Sequence, residues 1–322
     1  IGERPPLVPV MVSWPEGFLS QTEEQIDIDI GQTGAAFYEC ELAINEYTDK
    51  GPLRFEVIAG RENASFEARL SEERAEFRQV KGLAAFATVR GKRRSLAEWF
   101  NDDPPIIHFA NGDFLVFNEL FELPRDADRR AFDPGKIAAW TWEGVNLRKE
   151  SQGPEKAADS IQRRVIERIA EGAFGEFDII FDGDGTGEVA DIVALRREGQ
   201  QLRVLLAHCK HSGADKPGAR IDDFYAVCGQ AQKSVHWREN PRRLLKHLLH
   251  QEDLRLKAGG ASRFECGSRR EVQQLANVSR ELGFSYRVII VQPGLSKAKI
   301  APAFLDVLGA TETFLQETFS MP

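Results

Sequence analysis

The densest run of chemically capable residues is Phe181-Asp182-Gly183-Asp184-Gly185-Thr186-Gly187-Glu188-Val189-Ala190-Asp191, answered further along by His208-Cys209-Lys210. Asp191 sits inside one apolar run, Val189 to Leu195, and Lys210 follows another, Leu202 to Ala207. A charge in such a place is costly unless a metal or a partner compensates it. Carboxylates on one strand and a lysine at the end of the next form the set that phosphodiester cleavage requires. The acids hold a divalent cation, and the ammonium orients the attacking water or neutralises developing charge. Strand alternation is expected to turn His208 and Lys210 to one side and Cys209 to the other, with Asp191 joining them from the neighbouring strand.

Competing chemistries fail on spacing. Counted from Asp182, a calcium loop would need glutamate where Val193 stands, and no Gly-Lys-Ser/Thr follows the glycines to make a phosphate-binding loop. Cys40, Cys209, Cys228 and Cys266 contain no CxxC pair, so neither a zinc knuckle nor a disulfide framework is expected.

The elements that must position this set read as helix, three strands, helix, strand. Ser160 or Asp159 caps a helix whose apolar face is Ile161, Val165, Ile166 and Ile169. Strands are predicted at Phe177 to Phe181, Val189 to Leu195 and Leu202 to Ala207, then a helix from Ile221 to Trp237, a basic helix with Arg242 and Arg243, and a buried strand from Tyr286 to Val291. Ahead of them, residues 26 to 117 read as strands parted by turns, beginning with the strict alternation Ile26-Asp27-Ile28-Asp29-Ile30. The turn-rich stretch from Leu123 to Gly153 marks a boundary, giving a β-rich module over 1–150 and an α/β domain over 151–322. Trp140 and Trp142, at alternating positions, are read as core packing.

Composition bounds the rest. A chain of 322 residues with 42% hydrophobic and 29% charged residues buries a core, and its net charge of −8 leaves nucleic-acid binding to local patches. No run approaches the length needed to cross a bilayer, and a soluble, cytoplasmic protein with no membrane partner is expected. From the opening at Ile1 rather than Met, a piece of something longer is expected.

From about Asp159 to Val291 the chain resembles the PD-(D/E)XK, or restriction-endonuclease-like, nucleases, on Asp191, Lys210 and the order of elements around them. Gly187-Glu188-Val189-Ala190-Asp191 with His208-Cys209-Lys210-His211-Ser212 is similar to nuclease domains attached to helicase-like proteins of bacterial defence systems. The resemblance implies a mixed sheet flanked by helices, Mg²⁺ or Mn²⁺ as cofactor, and DNA in preference to RNA as partner. It also implies a helicase-like or other defence protein nearby. Asp191 would be the main metal ligand and Lys210 would serve the attacking water. The family's acid two residues before the lysine is here His208, so Glu188, His208 or Asp184 must complete coordination. Gln162 or Glu167 on the first helix, Gln230 on the second, and Arg242 and Arg243 beyond are the expected contacts to metal or substrate. His208 in place of the acid keeps a second reading open, a degenerate fold that binds nucleic acid or a partner without cutting.

Overall fold

In the computed structural model the chain is mixed α/β and divides into two units, Ile1–Arg129 and Arg130–Pro322. The structure describes residues 8–15, 18, 26–46, 52–71, 75–89, 91–109, 113–117, 119–122, 132–185, 189–213, 227–228, 230–231, 237, 241–300 and 302–318. Glu188 and most of the helix expected over 221–237 lie outside them. No described helix is long and apolar enough to cross a membrane.

The described residues of the first unit form three four-stranded antiparallel sheets and the helix Leu96–Asp102, which Ser95 caps through the Glu98 N–H. The alternation read at Ile26–Ile30 reappears as alternating burial, isoleucines inward. Phe55, Phe66, Phe77 and Phe100 meet in its core with ring centroids 5.2 to 6.3 Å apart.

The second unit is built on one five-stranded sheet. Its first helix, α1 (Ile161–Ala170), starts where the Ser160 hydroxyl accepts from the Arg163 N–H at 3.1 Å. It stops at Gly172, whose φ of +83° suits glycine just past a helix end. Three strands follow, β1 (Ile179–Asp182), β2 (Ile192–Glu198) and β3 (Gln201–Cys209), each antiparallel to the next. The β2–β3 connection is the pair Gly199-Gln200, with Gly199 at φ +62°. After them come α2 (Pro241–Lys257), β4 (Phe264–Cys266), α3 (Arg269–Val278), β5 (Gly283–Val291) and α4 (Pro302–Thr313). The sheet order is β4-β1-β2-β3-β5, and β5 lies parallel to β3 from Gln201↔Gly283 to Cys209↔Val291. A parallel neighbour needs a long crossover, here the chain from 210 to 282.

Ile161, Val165 and Ile169 of α1 pack on Ile180, Ile192, Ala194, Leu205, Ala207 and Cys209, each such buried Ile or Val contributing roughly 1.5–3 kcal/mol. Phe181, Val193, Leu195, Val204 and Leu206 on the other face are also buried, so the strands read as continuous apolar runs.

The division falls at 129/130 rather than near 150. Trp140, Trp142 and Val145 pack against the α1 core, and the stretch is tied to it by hydrogen bonds. The N–H groups of Asn146, Ile161 and Gln162 donate to the carbonyls of Asp159, Lys149 and Glu150 at 2.8, 2.9 and 3.1 Å. Turn residues there make irregular but packed chain, which periodicity cannot distinguish from a linker. A chain starting at 151 is therefore expected to melt roughly 10 °C or more below one starting at 130. Loss of one packed tryptophan costs about 3–5 kcal/mol, and 1 kcal/mol is about 2–4 °C in a unit of this size. Equal melting temperatures of the two, read by circular dichroism, would place the boundary back at 150.

Candidate functional site

The register of β2 on β3 pairs Ile192 with Ala207, which brings Asp191, one residue earlier, beside the end of β3. There the Cys209 backbone N–H donates to Asp191 Oδ2 at 2.8 Å and Gln162 Nε2 donates to Oδ1 at 2.9 Å. Gln162 comes from the first turn of α1, and its own Oε1 accepts from the Gln152 N–H at 2.9 Å. That acceptor role fixes the amide, so its NH₂ must face Asp191. Gln162 thus positions the carboxylate rather than pointing past it.

Just past β3, the Lys210 N–H donates to the Val291 carbonyl at 3.0 Å and its Nζ reaches Glu150 Oε1 at 3.3 Å. Glu150 Oε2 accepts from the His211 N–H at 2.7 Å and lies 2.9 Å from His211 Nδ1. Sequence reasoning missed Glu150. The available signal was its place directly before Ser151-Gln152-Gly153, a stretch whose glutamine is fully buried.

Asp191 is 1% exposed, and burial pushes its carboxyl from the ordinary 3.8 to about 7, opposed by its bonds to Cys209 and Gln162 and reinforced by the charges of Glu150 and Asp184. Among the described residues no cationic side chain forms an ion pair with it. The other acids are differently served. Asp182 accepts from Gln152 Nε2 at 3.1 Å and the Asp184 N–H at 3.2 Å, with Arg255 Nη2 at 3.7 Å; burial raises its proton affinity against those contacts. Glu265 is met by Lys156 and Arg163, each at 3.0 Å. Arg263 Nη1 holds the carbonyls of Asp182 and Asp184 at 2.9 and 2.8 Å, while the Asp184 carboxylate takes the Ser151 hydroxyl. Between these acids Gly183 is required, because a Cβ there would stand 2.2 Å from the Ala190 carbonyl oxygen.

Of the residues expected from sequence, Gln162 is bonded to Asp191, the charge of Asp184 acts on it, and Lys210 directly follows Cys209, whose N–H donates to Asp191. His208 is buried between Ala207 and Cys209, which pack with α1. The α2 arginine at the acids is Arg255, not Arg242 or Arg243, which lie about 20 Å back along the helix axis. Gln230 lies in a helical stretch whose Val227 and Cys228 pack with Phe304 and Val307 of α4. Glu188 is outside the described residues.

The donors at Asp191 are hard oxygens, the chemistry Mg²⁺ and Mn²⁺ take. Among the described residues Asp191 is flanked by two further acids and held by neutral donors, an environment whose electrostatic demand a cation would meet. Among the described residues, no three His, Cys, Asp or Glu side chains already converge as a cage. No protein-family model, curated protein or solved structure matches the chain.

The raised Asp191 value carries a sign. Between pH 4 and 7 the folded chain holds a proton that the unfolded chain has lost, so this group's contribution to stability falls as pH rises, by up to about 1.4 kcal/mol per pH unit, and is flat above 7. Asp191→Asn cannot titrate, and whatever its amide mismatch costs is independent of pH. The stability gap between wild type and variant, from urea unfolding at pH 5, 6, 7 and 8, should shift steadily toward the variant up to pH 7. A gap constant with pH would mean Asp191 is ionised throughout.

Proposed function

We propose that the unit 130–322 is a metal-dependent nuclease of the restriction-endonuclease-like kind, hydrolysing phosphodiester bonds of DNA with Mg²⁺ or Mn²⁺ as one part of a larger bacterial defence protein or complex. The observation that carries this reading is the buried Asp191 carboxylate, held by Gln162 of α1 and by the Cys209 N–H directly before Lys210, with Lys210 Nζ on Glu150, whose charge acts on Asp191. The order of α1, three antiparallel strands, helices and the parallel β5 supports the same reading.

Asp191 and Asp184 are the described residues that would hold the cation, which when bound polarises the scissile phosphate and acidifies the attacking water. Gln162 and the Cys209 N–H keep the Asp191 oxygens in one orientation, so nothing need reorganise when substrate arrives. Glu150 holds Lys210 Nζ at the edge of the centre, where both side chains are about a fifth exposed. From there the ammonium orients water or offsets charge on the phosphate. The Arg255–Arg263 pair neutralises the neighbouring acids and lessens their repulsion of a polyanion.

A second reading, binding without cleavage, draws on the Lys210–Glu150 pair, which occupies the lysine. Plasmid and single-stranded DNA incubated with EDTA, Mg²⁺ or Mn²⁺ separate the two. Cleavage should appear only with metal. Asp191→Ala and Lys210→Ala should each slow it by at least about 10²-fold, while Lys210→Ala still retards DNA on a gel. Retardation with no cleavage by wild type would select the binding module, and full activity in both variants would move the active site elsewhere.

A further inference from the structure

His211 is the first residue after Lys210, and its backbone is fixed from two sides, the N–H on Glu150 Oε2 at 2.7 Å and the carbonyl under Gln292 Nε2 at 3.3 Å. The next residue, buried Ser212, is anchored to the Leu147 carbonyl at 2.7 Å. The imidazole is held as firmly, with Nδ1 2.9 Å from the same Glu150 oxygen. A carboxylate on Nδ1 settles tautomer and ring orientation and leaves Nε2 as the outward edge. The His211 side chain is 44% exposed, whereas His208 and His247 are buried. Glu150 also carries Lys210, so one carboxylate aligns two proton-bearing groups at the mouth of the centre that contains Asp191. Such alignment exceeds what a surface histidine needs, and positioning Lys210 alone does not use it.

We propose that His211 is a further catalytic residue, the donor of the proton taken up by the leaving oxygen of the cleaved phosphodiester, with Glu150 as its orienting carboxylate; this rests on the nuclease reading. In the step, water forms the new P–O bond while the P–O bond on the leaving side breaks. Its electron pair goes to the leaving oxygen, which receives the Nε2 proton of the His211 imidazolium, whose Nδ1–H stays on Glu150. The water's proton passes to solvent, from which the half-exposed imidazole is reprotonated.

A sulfur leaving group needs no proton, which provides the test. An oligonucleotide is made with sulfur replacing the bridging oxygen on the leaving side, at the position where wild type cuts the unmodified strand. Both substrates are cleaved with Mn²⁺ in single turnover by wild type, His211→Gln and Glu150→Gln. His211→Gln is expected to be slower by about 10²-fold or more on the oxygen substrate and within about 3-fold of wild type on the sulfur substrate. Glu150→Gln also releases Lys210 and should slow both substrates, the oxygen one by the larger factor, so His211→Asn carries the test if His211→Gln fails to fold. Equal losses on both substrates, or no loss on the oxygen one, overturn the proton-donor role while leaving the nuclease reading intact. A wild type that cuts neither substrate overturns that reading, and this inference with it.

Discussion

A carboxylate that is almost fully buried and, among the described residues, has no cation of its own is the constraint around which the second unit is arranged. An ionised carboxylate in such surroundings is destabilising by several kcal/mol unless hydrogen bonds or charge compensate it. Asp191 receives one backbone N–H and one amide, both neutral. The available cations are spent nearby: Lys156 and Arg163 on Glu265, Arg255 on Asp182, Arg263 on the loop carbonyls. Two glutamines separate the zones. Gln152 donates its side chain to Asp182 and Glu265 and its backbone to Gln162, which turns its amide to Asp191. The result is a neutralised acidic scaffold beside one carboxylate whose burial raises its pKa to about 7.

Strand β3 places the remaining groups. Antiparallel pairing to β2 sets Asp191 against its end, and parallel pairing to β5 continues past it through the Lys210 N–H. The chain then turns along 147–150, where Ser212 binds Leu147 and His211 binds Glu150. Because Lys149 and Glu150 also accept the first N–H groups of α1, one short irregular segment fixes the start of the helix, the lysine and the histidine together.

Legibility in the sequence followed periodicity. α1 was readable from Ser160 and the spacing of its isoleucines, and the three strands from their apolar runs, with Gly199 marking the turn between two of them. Asp191 and Lys210 stood out because charges interrupt or end such runs. Glu150 had no such background, lying in chain with no repeat, and the same lack of pattern put the boundary near 150. On α2 the pattern gives the buried face but not the point along the axis that reaches a site, so Arg255 was passed over for Arg242 and Arg243. The strand Phe264–Cys266 is three residues long, too short to leave a pattern.

The central claim, that Asp191 awaits a divalent cation, is tested most directly by calorimetric titration of Mn²⁺ at pH 6.5 in two buffers of different ionisation enthalpy. With its carboxyl titrating at about 7, Asp191 is mostly protonated there, so metal binding must expel a proton and the measured heat must differ between buffers. Buffer-dependent binding to wild type, absent from a folded Asp191→Ala variant, is the expected result. Equal Mn²⁺ affinity in the two proteins, or heats independent of buffer, would contradict it.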